Sequence, residues 1–371
     1  MHARWRQPAA DPGALAALKT HRIALLPGDG IGPEVMAEAR LTLEAAAGAR
    51  GDFAVVIESF DAGGEHHLRT GVAIDPGVLE RLGEFDAILA GPFGDPRVPD
   101  ALVLWGTILA MRHRFDQYVN LRPARLLPGV QSPLRRAQPG GLDIVVVREN
   151  TEGEYSGAGG RLHRGRPNEV ALETSVFTRA GVERIVRYAF EYARDHGRSK
   201  VTSATKSNAL PHAMPFWDEV VEEVGAAYPE IERESVLIDA LAARVITAPG
   251  SLDVIVASNL FGDILTDMTA AAVGGLGVGP SANLDPTREH PSLFQAIHGS
   301  APDIAGRGVA NPIGEILSVA LMLEFLGERE AAAAIDAAVA RATPDAAART
   351  PDLGGSAGTR QAGEAIRAQL R

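Results

Sequence analysis

The chain predicts an α/β fold on a mostly parallel sheet, and three observations carry that expectation. Short β-branched apolar runs alternate with helical spacings, as in successive βαβ units. One stretch, 253–285, opens with the run Val254-Ile255-Val256, a buried strand, and passes straight into a helix from Leu260 with Ser258-Asn259 as its N-cap. At 371 residues the chain can bury ample core and exceeds the usual size of one domain.

The elements follow in order. Residues 22–27 (RIALLP) read as a strand, with a helix from Pro33, a favoured first helical residue. The loop between them, 28–32, reads equally as a dinucleotide loop or as a turn without phosphate contact, because Pro33 holds the place of the third glycine. Strand 53–60, helix 76–83 and strand 85–90 continue the alternation, and a Gly/Pro-rich turn leads to an amphipathic helix at 101–114. Strands are expected near 117–126 and 143–148. Residues 152–166 are rich in Gly and Arg, and 170–177 alternate as an exposed strand does, so this arm needs a partner to bury it. Helix 179–195, strand 200–205, helix 212–227 and a strand near 235–239 precede the central stretch. After it come a loop at 281–308 and helices at 313–326, 329–342 and 360–369.

Composition narrows the partners. A net charge of −11 and a pI near 5.4 argue against nucleic acid and anionic membranes. No apolar run approaches the roughly 20 residues of a membrane helix, and there is no cysteine for disulfides, thiolate metal sites or a thiol nucleophile. The first 20 residues lack an apolar signal core and read as a loose extension, so a cytoplasmic protein is expected.

Several side chains suggest chemistry. Asp263 and Asp267 lie one turn apart on a helix that follows a buried strand, an oxygen-ligand pair suited to Mg²⁺ or Mn²⁺, unless one merely caps and the other is solvated. Asp239 is the natural third carboxylate. Arg112, Arg122 and Arg148 close elements and could clamp a small polycarboxylate by bidentate pairing. Beside such cations Tyr155 could donate a proton, its pKa lowered by them. Only three of the 36 basic residues are lysines (Lys19, Lys200, Lys206), so Lys206 at a strand end is a candidate proton acceptor, a task closed to Arg. The segment His298-Gly299-Ser300-Ala301-Pro302-Asp303, with Asn311 downstream, could hold an adenosine or simply form a capped turn.

PGDGIGPEV, NLRP, RENTEGEYSG, TKSNAL, NLFGDILTD and HGSAPDIAG…ANP stand in this chain in the order and spacing of one family. From about Arg22 to the C-terminus it resembles the β-decarboxylating dehydrogenases, which act on isocitrate, 3-isopropylmalate, tartrate or D-malate. The resemblance implies an isopropylmalate-dehydrogenase-like homodimer of two-domain α/β subunits with parallel and mixed sheets flanked by helices. Its first domain would take 1–117 and 274–371, its second 118–273, with a clasping arm near 153–176. It implies that 28–32 is not a dinucleotide loop and that NAD sits on His298, Gly299, Ala301, Asp303 and Asn311. Asp303 would favour NAD by repelling a 2′-phosphate.

The same resemblance assigns Arg112, Arg122 and Arg148 to the malate moiety and Asp263 and Asp267, with Asp239 of the second subunit, to the divalent metal. Lys206, also from the second subunit, would be the base, Asn208 would lie near the nicotinamide, and Tyr155 would protonate the enol. Gly106 and Ile108 stand where isocitrate enzymes place Ser and Asn, and Trp105 where isopropylmalate enzymes place an acid. The segments PDALVLWGTIL, FDQYVNLRPARLLPGV, SVFTR and MPFWDE look most like the tartrate/D-malate branch. Trp105 lies on the same expected helix as Arg112, seven residues earlier and on nearly the same face, so the indole would limit substrate size, or else bury against the core. 3-Isopropylmalate remains the alternative substrate, and a non-catalytic regulatory subunit the alternative of another class.

Overall fold

The computed structural model describes residues 18–135 and 141–370. Twelve strands form in chain order: β1 Lys19–Leu26, β2 Phe53–Ser59, β3 Ala87–Ala90, β4 Val119–Arg125, β5 Asp143–Glu149, β6 Gly153–Leu162, β7 Val170–Val176, β8 Lys200–Thr205, β9 Glu232–Leu237, β10 Val254–Ala257, β11 Pro280–Leu284 and β12 Ser292–Ala296. Ten make one sheet in the order β2-β1-β3-β12-β11-β4-β5-β10-β8-β9; β6 and β7 pair separately. Only β12/β11, β11/β4 and β4/β5 are antiparallel, so the sheet is mostly parallel with a mixed centre. Those central strands join the half built from both ends of the described chain to the half built from its middle.

Helices cover both faces, which is why the middle strands are apolar at consecutive positions. Val145, Val147, Val254 and Val256 pack with Ile185 and Phe190 of helix Arg179–Asp195. Ile144, Val146 and Ile255 face the other way, toward Leu241 and Leu265 of helices Ile238–Thr247 and Asn259–Ala272.

Four expectations need correction. The loop expected at 281–308 contains β11 and β12, whose Ser281, Asn283, Ser292 and Gln295 are buried and break up the apolar signal. The strand expected near 235–239 ends at Leu237, and Asp239 lies in the first turn of a helix spaced by Ile238, Leu241 and Val245. The helix expected at 101–114 breaks at buried Thr107, leaving Asp100–Gly106 and Ile108–Arg114; the Thr107 hydroxyl donates to the Val103 carbonyl at 2.7 Å. Lys19 and Thr20 belong to β1, while the rest of the expected N-terminal extension, 1–17, lies outside the described residues.

A further helix, Gly64–Thr70, was not anticipated. Its start is fixed by Asp29, whose carboxylate accepts from the Gly64, Glu65 and Gly94 amides at 2.7, 3.0 and 2.8 Å. The β6/β7 hairpin leaves Leu162, Val170 and Leu172 exposed. Among the described residues no helix is long and apolar enough to cross a membrane.

Candidate active site

The antiparallel register places two of the arginines. Asn120 lies opposite Arg148 and Arg122 opposite Val146, so Arg122 and Arg148 project from one face of β4 and β5. Helix Asn259–Ala272 lies against that face, so closely that a Cβ at Gly262 would stand 2.6 Å from the Cβ and Cγ of Arg148. Arg112 comes in from the last turn of helix Ile108–Arg114. All three guanidiniums are buried.

Their hydrogen bonds differ. Every nitrogen of Arg148 has an acceptor: Nε and Nη2 donate to Asn259 Oδ1 at 3.0 and 2.6 Å, and Nη1 donates to Asp263. Arg122 Nη1 donates to Thr266 Oγ1 at 2.6 Å and lies 3.6 Å from Asp263. Arg112 donates through Nε to Asn283 Oδ1 at 3.0 Å, and among the described residues its two terminal nitrogens have no acceptor.

Three cations thus lie near two carboxylates, Asp263 and, one helical turn on, Asp267. Burial, Arg148 and Arg122 depress the Arg112 pKa; burial and Arg148 bring that of Arg122 down to about 10. Arginine stays charged regardless, so these shifts register an unbalanced positive field. Burial pushes the Asp263 carboxyl up, but Arg148 and Arg122 outweigh it and hold the group below its ordinary value. Tyr155 departs from expectation. Its pKa is raised, first by burial and then by Asp263, which accepts the phenol proton at 3.1 Å and outweighs Arg148. The phenol is therefore held protonated, as a proton donor has to be.

The expected N-cap is replaced. The Ser258 side chain does not cap its helix but donates to Glu154 Oε1 at 3.0 Å, while Glu154 Oε2 accepts from the Leu260 amide at 3.0 Å. Glu154 thereby ties the residue next to Tyr155 to the helix that carries Asp263. Glu149 and Glu152 also bond locally, the former to Thr151 and the Glu152 amide, the latter to Thr178. Within this motif Arg148 and Tyr155 face the cleft.

A pocket of about 220 Å³ joins the three arginines, Tyr155 and Asp263 to an apolar side of Phe93, Leu104 and Ile108. Gln295, Ile297, His298 and Gly299 close its far end. Leu104 and Gln295 were missed from sequence: Leu104 lies at the pocket mouth and stays 41% exposed, and Gln295 sits in an unanticipated strand. Trp105 is not part of the lining. Its ring lies over Gly157, where a Cβ would meet indole Cη2 at 2.8 Å, and it remains 45% exposed.

The remaining predicted residues fall in two places. Asp303 is exposed, and Asn311 is engaged inside the fold, donating to Asp352 at 2.9 Å and accepting from the Ile313 amide at 3.0 Å. The 28–32 loop packs beneath this segment: the Ile31 amide donates to the Ser300 carbonyl at 2.8 Å, and a Cβ at Gly30 would stand 2.0 Å from that oxygen. Lys206 and Asp239 pair with each other at 2.5 Å, with Asn208 exposed nearby in the chain. Among the described residues no three Asp, Glu or His side chains converge as metal ligands, so Asp239 does not join Asp263 and Asp267 within one chain.

The model of the isocitrate/isopropylmalate dehydrogenase family matches residues 22–366. This chain belongs to that family. It is 50% identical over 349 residues to a probable tartrate dehydrogenase/decarboxylase of Agrobacterium vitis, covering 94% of this chain and 96% of that protein. It is 50% identical over 360 residues to the decarboxylating D-malate dehydrogenase of Escherichia coli (strain K12), covering 94% and 98%. Among solved structures, isocitrate dehydrogenase from Methylococcus capsulatus superposes with a TM-score of 0.86 at 36% identity, over 95% of this chain and 99% of that one.

Proposed function

We propose that this chain oxidatively decarboxylates a small 2-hydroxy dicarboxylate, D-malate or tartrate, to a 2-oxo acid and carbon dioxide, using NAD⁺ and Mg²⁺ or Mn²⁺. The observation that carries the reading is the pocket where three buried guanidiniums set up a positive field that two neighbouring carboxylates, Asp263 and Asp267, only partly offset. A dianionic substrate balances that field, and Arg112, with both terminal nitrogens unengaged, is its principal grip. Names of relatives half identical to this chain support the same substrates.

The donor set fits a hard cation. Asp263 and Asp267 offer carboxylate oxygens one helical turn apart, Asp267 has no ion pair among the described residues, and the chain holds no cysteine. Asp239 of a second copy would be the third ligand. When bound, the cation would polarise the 2-oxygen and NAD⁺ would accept the hydride from C2. Lys206 of the second copy takes the proton of the 2-hydroxyl. Tyr155, held protonated, returns one to C3 after carbon dioxide has left. Asp303 would accept from the ribose hydroxyls. The active form is then a homodimer, its subunits divided into domains 1–117 with 274–371 and 118–273 and clasped by the β6/β7 arm.

Phe93, Leu104 and Ile108 on one side of the pocket favour a second reading, 3-isopropylmalate, whose alkyl group would lie there. The test is turnover of D-malate, tartrate, isocitrate and 3-isopropylmalate with NAD⁺ and Mn²⁺. D-Malate or tartrate should show the highest kcat/KM; turnover of isocitrate alone would overturn the reading.

A further inference from the structure

Behind Arg112 lies a buried group of amides that the chemistry above does not use. Asn283 Oδ1 accepts three hydrogen bonds: from Arg112 Nε at 3.0 Å, Asn120 Nδ2 at 3.1 Å and Asn150 Nδ2 at 3.0 Å. Asn120 and Asn283 are 0% exposed and Asn150 is 1% exposed. Arginine Nε is only a donor, so it fixes which end of the Asn283 amide faces it. Asn120 also donates to Ser281 Oγ at 3.0 Å, and Asn150 to the Gln117 carbonyl at 2.9 Å.

The sheet register shows why the group sits there. Asn283 lies opposite Asn120, and Asn120 opposite Arg148, so one row of paired residues runs across β11, β4 and β5. β11 belongs to the half that carries Arg112, β4 and β5 to the half that carries Arg122 and Arg148. Asn283 is one of the points where the two arginine-bearing halves meet through side chains, and it is the one bonded to Arg112.

We propose that Asn283 is a positioning residue for Arg112: by taking Nε alone, it aims both terminal nitrogens at the substrate carboxylate. It also ties that grip, through Asn120 and Asn150, to the half that holds the other two arginines. Arg148 shows the alternative, since all three of its nitrogens already donate within the protein, Nε and Nη2 to Asn259 and Nη1 to Asp263, whereas Arg112 keeps both terminal nitrogens unengaged among the described residues. Without its acceptor the Arg112 guanidinium is free to rotate about its terminal bonds, and the paired N–H geometry a carboxylate needs is lost. The inference rests on the dicarboxylate reading given above.

The test is a double-mutant cycle on the full dimer with Mn²⁺ present. Binding of D-malate, tartrate and NAD⁺ is measured by calorimetry for wild type, Asn283→Ser, Arg112→Lys and the double variant, with Asn283→Ala as a second replacement. Asn283→Ser should weaken dicarboxylate binding about tenfold while NAD⁺ affinity stays within about twofold. In the Arg112→Lys background it should add less than about twofold, because its effect passes through Arg112. Equal loss for dicarboxylate and NAD⁺, or an undiminished loss in the Arg112→Lys background, would overturn the positioning role. If wild type binds neither dicarboxylate, the substrate reading falls and this inference with it.

Discussion

Lys206 Nζ and Asp239 Oδ1 lie 2.5 Å apart, one at the end of β8 and the other in the helix that follows β9, its neighbour in the sheet. The arginines, Tyr155, Asp263 and Asp267 converge elsewhere, and among the described residues of one chain no third carboxylate reaches the Asp263–Asp267 pair. On the function proposed above, each chain would carry two half-sites. A two-fold dimer can bring the Lys206 half of one copy to the Asp263 half of the other.

Subunit complementation checks this. Lys206→Met and Asp263→Asn should each be inactive as homodimers. After mixing and subunit exchange, half of the dimers are hybrids with one intact site of two, so about a quarter of wild-type activity should return. No recovery after demonstrated exchange would mean that each chain completes its own site.

The pattern of what sequence reveals here has physical causes. Helix Arg179–Asp195 and strand Lys200–Thr205 are legible to the residue, because Val182, Ile185, Val186, Ala189 and Phe190 keep helical period and the strand is bounded by turns. β11 and β12 are not, because their buried polar residues bond across strands far apart in sequence, as Asn283 does with Asn120. The same holds for the site. Arg112, Arg122, Arg148, Tyr155 and Asp263 were legible as candidates and do meet in one pocket. Glu154 as a cap was not, since its partners Ser258 and Leu260 lie more than 100 residues away.

Glu315 gives the protein a pH-dependent stability. It is fully buried in helix Ile313–Phe325, its Oε2 accepts from the Ala296 amide at 2.8 Å, and burial pushes its pKa from 4.5 up to about 8. Between those values the folded chain keeps a proton that the unfolded chain has released. Stability from this group therefore falls as pH rises from about 4.5 to 8, by several kcal/mol to order of magnitude. Glu315→Gln should raise the melting temperature at pH 9 and change it little at pH 5. Equal destabilisation at both would mean that the carboxyl stays charged inside.

Asp303 should set the choice of cofactor. It is exposed and has no ion pair among the described residues, so its charge is free to act on an adenosine ribose. Repulsion of a 2′-phosphate and loss of a ribose hydrogen bond together make about 1–3 kcal/mol of discrimination reasonable. Asp303→Lys should therefore move the ratio of kcat/KM for NADP⁺ over NAD⁺ upward by at least about tenfold. An unchanged ratio would show that some other residue reads the 2′-position.

Substrate size should answer to Leu104 rather than Trp105. An unbroken helix would put Trp105 on the face of Arg112, but the helix breaks at Thr107, Leu104 and Ile108 line the pocket, and the indole lies over Gly157 outside it. Leu104 is thus a solvent-facing part of the apolar wall in a space of about 220 Å³. Leu104→Ala removes three carbons there. Each methylene newly accommodated is worth roughly 0.8 kcal/mol, so kcat/KM for 3-isopropylmalate relative to D-malate should rise by 10-fold or more, to order of magnitude. Trp105→Ala loosens the contact with the arm and should lower activity on both substrates alike, leaving their ratio in place. If the ratio moves with Trp105→Ala and not with Leu104→Ala, the indole swings over the bound substrate and the wall is Trp105 after all.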